Sequence, residues 1–349
     1  MLRLIKAHWK YPEFPEEPAF LAPPGTAWPP PSGQQPLRTS EQSYPEFLDA
    51  IGLVGMGGSM FPAGKKLAAS KNIQTVVINA VECEPGVTID RALLLYHSSL
   101  VRAGAEASAE ACGATHIVIA IARNRELARL LQERYPFDIL SMPTGYPAGA
   151  ERLIVKKLTG KMLPYNVYPS QMGILVQNVA SLRAIGRALL DNIPCIERPL
   201  TVAAPHRQIH HDVIVPLDMS LADVIEACGV THDRDSESLI AGGLMMGKTA
   251  MPETRVTRGT TSIMILPQLQ IEATETHCIN CGACNAACPL GLHPIGMIKH
   301  VREENHFLPR SATTQLDTCF LCGACAAVCP AHIPLVKYIK EGKACPRIP

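Results

Sequence analysis

Along the chain, hydrophobic and polar positions fall into distinct regimes. Up to residue 43 there is no period: "YPEFPEEPAFLAPPGTAWPPPSGQQP" is dominated by proline, which predicts an extended N-terminal segment over residues 1–43, draped on the body or disordered. From Tyr44 periodicity begins. "SYPEFLDAIGL" predicts a helix, the β-branched run Ile73–Ala80 a buried strand, Ile89–Cys112 a helix and His116–Ile121 a second strand. "NRELARLLQERY", apolar at i, i+3 and i+4, predicts a helix, "DILSM" a short strand and "PTGYPAG" a turn. Strand alternating with helix predicts an α/β domain on a largely parallel sheet over residues 44–198.

After Pro199 the pattern changes. "LTVAA", "HDVIVPL", the helical "SLADVIEACG" and "SLIAGG" predict a small β-rich domain over residues 199–270. Residues 271–349 are organised by cysteines instead: "CINCGACNAACPLGLHP" and "CFLCGACAAVCPAHIP" are two copies of C-x-x-C-G-A-C-x-A-x-C-P.

Eight of the 13 cysteines lie in those copies. Thiolate sulfur is a soft donor, and a tight C-x-x-C-x-x-C loop wraps one corner of an iron–sulfur cubane while a fourth ligand comes from elsewhere. In two-cluster ferredoxins the fourth cysteine of each run serves the other cluster. Cys278, Cys281, Cys284 and Cys329 are therefore assigned to one [4Fe–4S] cluster, and Cys319, Cys322, Cys325 and Cys288 to the second. Zinc is the competing reading, but its sites usually pair two C-x-x-C knuckles without a trailing proline. Cys83, Cys112, Cys195, Cys228 and Cys345 are scattered and read as small buried hydrophobes; His277, His293 and His332 read as packing or surface residues.

Charge and length exclude some classes. Net charge is +1, which predicts no nucleic-acid partner. The most apolar run, "THIVIAIA", is strand-sized, far from the roughly 18 residues of a membrane span. "MLRLIKAHWKYPEFPEEP" has no secretory-signal cleavage site, so a cytosolic protein, or one docked on a membrane by partners, is expected.

"GLVGMGGSMFPAGKKL" followed by "NAVECEPGVTIDR", then "YPAGAERLIVKKLTGKMLP", "GILVQNVASLRAIGRAL", "LIAGGLMMGK" and the cysteine repeats, in that order, resembles the C subunit of the Rnf electron-transport complex. It is similar also to the flavin-binding subunit of respiratory complex I and to microcompartment cobalamin reductases. The resemblance implies an FMN-binding α/β domain, a small β-grasp-like domain of the SLBB type and a dicluster ferredoxin domain. It places Gly55, Gly57, Gly58 and Lys66 at the FMN phosphate. Glycine lets backbone approach a phosphate that a Cβ would fend off, and a lysine supplies charge. It puts Asn79, Glu82 and Glu84 along the ribityl chain and ring, with Tyr146, Gly149, Glu151, Asn178 and Ser181 completing the pocket. The bland alternative is that Glu82 and Glu84 cap a turn and the glycines mark a bend.

Three departures stand out. Met60 replaces the last glycine of the family's G-G-A-G-F-P loop, either filling space beside the flavin or turning into the core. Ala150 replaces the first of two adjacent glutamates in the complex I subunit. Nothing before Tyr44 alternates as the strands of the Rnf subunit's lipoyl-like barrel would, so the match is expected to fail there. The implied function is electron transfer between FMN and two [4Fe–4S] clusters, with NAD(P)H-linked reduction of a partner protein or other subunits. The alternative is a conduit that does not itself react with NAD(H).

Overall fold

The computed structural model describes residues 15–22, 33, 36–70, 72–163, 167–268, 274–302 and 315–344. Of the expected extended segment, residues 1–14, 23–32, 34 and 35 lie outside the described residues, as does Cys345. The described chain forms two compact units, one reaching to Gln268 and the other carrying the cysteine repeats. The boundary expected after residue 198 thus falls inside the first unit, which holds two sheets.

The N-terminal segment contributes strand β1, Ala19–Phe20. Four strands then build a parallel sheet: β2 (Thr75–Ala80), β3 (His116–Ala122), β4 (Asp138–Met142) and β5 (Ile174–Asn178), in the order β4-β3-β2-β5. Central β2 is hydrophobic on both faces, as a parallel strand covered by helices must be. Val77 pairs with Val118 on one side and with Val176 on the other. Val76 and Ile78 join one core and Val77 the other.

The helix expected over Ile89–Cys112 is two helices, Ile89–Tyr96 and Ser98–Cys112, broken at His97 with φ −114° and ψ 33°. Both halves carry apolar periodicity, so the break between them leaves no mark on the pattern. The second half crosses Val179–Leu190 through two glycines. A Cβ on Gly104 would lie 2.0 Å from the Leu182 carbonyl oxygen, and one on Gly186 2.0 Å from that of Leu100. Either substitution would push the helices apart.

The second sheet comprises β6 (Glu197–Ala204), β7 (Ile209–Pro216), β8 (Glu237–Ala241), β9 (Lys248–Ala250) and β10 (Ser262–Pro267), in the order β1-β7-β6-β10-β8-β9. Ala19 and Phe20 pair in parallel with Val213 and Ile214, so part of the segment expected to run extended over the body or to be disordered is an edge strand. Alternation along β7 divides its faces. Val213 and Val215 pack into the small sheet's own core, under helix Leu221–Ala227, while Ile214 belongs to the core of the parallel-sheet layer. Asp212, on the same side as Ile214, accepts hydroxyl hydrogen bonds from Thr88 at 2.8 Å and Thr201 at 2.6 Å. That shared face makes one unit of two expected domains.

The second unit is built from short helices, Ala283–Ala287, Pro294–Arg302, Ala324–Ala327 and Leu335–Ala344. Its core joins Met297, Ile298, Leu335 and Ile339 to Cys325, with further cysteines packed against it.

Candidate functional site

The glycine loop follows helix Tyr44–Ala50 and is closed on itself. Gly55 N–H donates to the Phe61 carbonyl at 2.8 Å and Met60 N–H to the Gly55 carbonyl at 3.0 Å, with a β-bridge between Val54 and Pro62. Ser181 holds it from beneath, its Oγ accepting the Met56 N–H at 2.9 Å and donating to the Val54 carbonyl at 3.4 Å. Gly58 has φ 97° and no atom within 4 Å of the place a Cβ would take. Met60 has φ 51° and is 47% exposed, so it does not turn into the core.

This loop forms one wall of a cleft of about 710 Å3 between the parallel-sheet layer and the small sheet. Of the residues singled out from the sequence, Gly57, Gly58, Asn79, Glu82, Glu84, Gly149 and Asn178 line it. Gly149 is required by close approach, since a Cβ there would lie 2.5 Å from the Val81 carbonyl oxygen. Asn79 Nδ2 donates to the Gly149 carbonyl at 3.0 Å, tying the end of β2 to that turn.

Five others are placed elsewhere. Gly55 and Ser181 hold the loop, Tyr146 precedes a cis proline, and Lys66 Nζ donates to Glu151 Oε1 and to the Val176 carbonyl, both at 2.7 Å. The cation expected to meet a phosphate is thus engaged by a carboxylate expected to meet the same ligand. Short-range pattern cannot reveal that pairing, because it spans helices Ala63–Ala68 and Glu151–Thr159.

Glu84 reaches across the cleft: its Oε2 accepts the Met245 N–H at 2.9 Å, and a Cβ on Gly243 would lie 2.2 Å from the carboxylate. Burial pushes its pKa up, partly offset by the Met245 and Met246 amides. Glu82 is pushed well above the usual carboxylate range by burial, against the pull of Arg91. It accepts the Asp90 N–H at 2.7 Å.

Sequence reasoning missed Asp90 and Arg198, which complete the floor. Asp90 accepts a 2.7 Å hydrogen bond from Asn178 Nδ2, yet burial still raises its pKa. Arg198 donates from Nε to the Thr260 carbonyl at 2.6 Å, while its buried Nη1 has no partner. Burial lowers its pKa to about 10. The available signal was the Glu197-Arg198 pair opening the fully buried β6.

The cleft suits FMN on its own features. Gly58 leaves room for close backbone approach, and the orphaned Arg198 donor suits a ligand bearing acceptor oxygens. Cleft volume lies within the range of about 300–1,000 Å3 typical of cofactor sites.

In the second unit, one cavity of about 190 Å3 is lined by Cys278, Cys281, Cys284 and Cys329. A tighter one, about 20 Å3, is lined by Cys288, Cys319, Cys322 and Cys325. The electrostatics follow the same grouping. After burial, neighbouring thiols raise the pKa values: Cys319 feels Cys288, and Cys322 feels Cys319 and Cys288. Burial, Cys322, Cys319 and Cys288 push Cys325 up to about 12, while Cys329 raises Cys284. Four mutually opposed thiolates suit a cationic iron core. Amides point at sulfur, Leu292 N–H to Cys288 and Leu321 N–H to Cys319, both at 3.4 Å.

The repeat extends to the backbone. Asn280, Gly282 and Gly291 have φ 52°, 72° and 66°, and their counterparts Leu321, Gly323 and His332 have 60°, 80° and 51°. Leu321 and His332 accept a conformation that usually needs glycine or asparagine, which marks the loop shape as the constrained quantity.

Fold and site together define a chain with one flavin-type cleft and two four-cysteine sites of the iron–sulfur type. Residues 48–187 match the Nuo51 FMN-binding domain family and residues 277–333 the 4Fe–4S dicluster domain family. The chain carries sites for FMN and two [4Fe–4S] clusters, and it is RnfC-like. It is 33% identical over 326 residues to the C subunit of the ion-translocating oxidoreductase complex of Pasteurella multocida, covering 89% of this chain and 38% of that relative. It is 32% identical over 270 residues to the corresponding C subunit of Rhodobacter capsulatus, covering 74% and 52%. To the C subunit of the proton-translocating ferredoxin:NAD(+) oxidoreductase complex of Clostridium ljungdahlii it is 31% identical over 265 residues, covering 73% and 58%. The chain therefore spans about two-fifths to three-fifths of the length of these relatives. An NAD+-reducing [NiFe]-hydrogenase chain shares the fold, with TM-score 0.54 and 17% identity over 86% of this chain and 63% of that one. Among the described residues no helix is long and apolar enough to cross a membrane.

Proposed function

We propose that this chain is the FMN- and iron–sulfur-bearing component of an Rnf-type electron-transfer assembly, passing electrons between FMN and two [4Fe–4S] clusters and on to a partner protein. NAD(P)H is the proposed two-electron partner. The flavin supplies the exchange of a hydride pair for single electrons. The observation that carries the reading is the grouping of Cys288 with the second run of cysteines and of Cys329 with the first, the wiring of a two-cluster ferredoxin.

In this reading Gly57, Gly58, Asn79, Gly149 and Asn178 line the flavin, with Arg198 as the buried cation. Glu82 and Asp90 on the floor set its electrostatic surroundings. Gly55, Ser181, Lys66 and Glu151 keep the loop and its supporting helix in place. A peripheral position at the cytoplasmic face of a membrane, through other subunits, fits relatives named as parts of ion-translocating complexes.

A second reading, electron conduit without NAD(P)H chemistry, is favoured by the exposed Met60 in the cleft wall. Anaerobic mixing of the FMN- and cluster-loaded chain with NADH or NADPH tests the first reading. Bleaching of flavin and cluster absorbance supports it; unchanged spectra with both, in protein that dithionite reduces, leave the conduit.

A further inference from the structure

We infer that the turn over residues 242–248, with Arg255 on the same wall, is a phosphate subsite of the cleft and takes the pyrophosphate of the nicotinamide dinucleotide. This rests on the NAD(P)H reading above and gives that ligand a place to bind.

Charge divides the cleft. Its acids, Glu82, Glu84 and Asp90, all follow β2, while its cations, Arg198, Lys248 and Arg255, all come from the small-sheet side. Arg198 is buried and serves the flavin in the reading above; Lys248 and Arg255 are exposed. Among the described residues neither has a carboxylate partner. Arg255 donates from Nη1 to the Asp218 carbonyl at 2.9 Å, and the one acid of the segment 242–261, Glu253, is held by Arg234 at 2.5 Å. An anion entering the cleft is therefore drawn to this wall. Two free cations beyond the buried one match the two charges of a pyrophosphate diester.

The turn has the form of a phosphate cradle. "GGLMMGKT", residues 242–249, repeats the G-x-x-x-x-G-K-T spacing of nucleotide-binding phosphate loops and, like them, follows a strand, β8. It leads into β9 and not into a helix, so the helix N-terminus of those loops is missing; glycines, backbone amides, lysine and hydroxyl remain. Gly247 N–H donates to the Gly243 carbonyl at 2.7 Å, and a Cβ on Gly247 would lie 2.4 Å from that oxygen, so glycine is what lets the turn close.

The turn already holds an acidic group. Glu84 reaches it from the opposite wall and accepts the Met245 N–H at 2.9 Å, and the Met245 and Met246 amides pull its pKa down against burial. Backbone donors of the turn thus serve a carboxylate that lines the cleft, and a phosphate oxygen asks for donors of the same kind. Lys248, Thr249 and Arg255, on the lining as well, supply the side-chain donors.

In NADH + H+ + FMN → NAD+ + FMNH2 the pyrophosphate is unchanged. Its contacts are therefore uniform binding, which lowers the half-saturating concentration and leaves the limiting rate alone.

The test uses the full chain carrying clusters and FMN, as wild type, Lys248→Met, Arg255→Met, both together, and Lys248→Arg. Oxidised protein is titrated calorimetrically with inorganic pyrophosphate, and anaerobic stopped-flow follows flavin reduction by NADH and by NADPH. The expected result is pyrophosphate binding about tenfold weaker in each single methionine variant, with the same rise in half-saturating NADH and NADPH at an unchanged limiting rate. Lys248→Arg stays close to wild type, and FMN affinity and dithionite reduction are equal throughout. Pyrophosphate affinity and nucleotide half-saturation that do not change in the double variant overturn the subsite. Loss of FMN affinity in the methionine variants gives these cations to the flavin phosphate and overturns the dinucleotide assignment. Wild type that binds pyrophosphate but is reduced by neither nucleotide overturns the NAD(P)H reading and the dinucleotide together, and the calorimetry separates that outcome from a misplaced subsite.

Discussion

Lys66 Nζ lies 2.7 Å from Glu151 Oε1, so two residues read from sequence as separate contacts to one flavin are paired with each other in this structure. Their side chains are 31% and 42% exposed, which limits the pair to about 0.2–1 kcal/mol. Lys66→Met is expected to lower stability by about that amount, with coupling to Glu151→Gln in a double-mutant cycle of chemical denaturation. FMN affinity should be largely preserved in Lys66→Met.

Arg198 is the contrasting cation. It lines the cleft, its buried Nη1 has no partner, and a charge-assisted hydrogen bond is worth about 1.5–3 kcal/mol. Arg198→Met is therefore expected to weaken FMN binding by about one to two orders of magnitude in fluorescence titration. Unchanged affinity in that variant, with a large loss in Lys66→Met, would return the phosphate contact to Lys66.

Cys288 belongs by sequence to the first cysteine run and by position to the second group. Cys288→Ala should damage the cluster held by Cys319, Cys322 and Cys325 and spare the one held by Cys278, Cys281 and Cys284. Electron paramagnetic resonance of the reduced protein reads which signal goes. Because Cys281 is exposed while Cys325 is buried, a slow ferricyanide titration should destroy the Cys278 cluster first.

Two half-buried imidazoles set the acid limit. Burial, followed by Arg183 and Arg187, lowers the His97 pKa from 6.5 to about 3. Burial, with His211 and Arg91 beside it, lowers that of His210 to about 4. In the unfolded chain both bind a proton near pH 6.5, and in the folded chain neither does, so their contribution is present above that pH and is lost as pH falls towards 4. Asp212 has the opposite sign. Burial raises it from 3.8 to about 6, so its contribution falls as pH rises across that interval. Thermal unfolding from pH 7 to 4 should show a smaller acid loss in His210→Gln and a larger one in Asp212→Asn, with the His210 ring proton shifts flat down to about pH 5 in wild type.

How much of this was legible depends on the length scale of the cause. The parallel strands were written in runs such as "TVVINA", and the cluster loops in cysteine spacing, because in both the determining interactions repeat within a few residues. The break at His97 was not legible, since helices Ile89–Tyr96 and Ser98–Cys112 both carry apolar periodicity up to it. Nor was β1: Ala19 and Phe20 become a strand only because β7 offers an unpaired edge. The cleft was half legible. Glycines and the carboxylates after β2 announce themselves, but Arg198 enters from the second sheet, over 100 residues beyond the loop it faces, and Lys66 is turned away by Glu151 on another helix.

One flavin and two clusters in this single chain fix a cofactor stoichiometry that can be assayed. The full chain is isolated without oxygen and assayed for iron, acid-labile sulfide and acid-released flavin. About eight iron, about eight sulfide and one noncovalent FMN per chain are expected, from two cubanes and one cleft. Zinc without sulfide, or full clusters in protein that takes up no FMN at micromolar concentration, would contradict it.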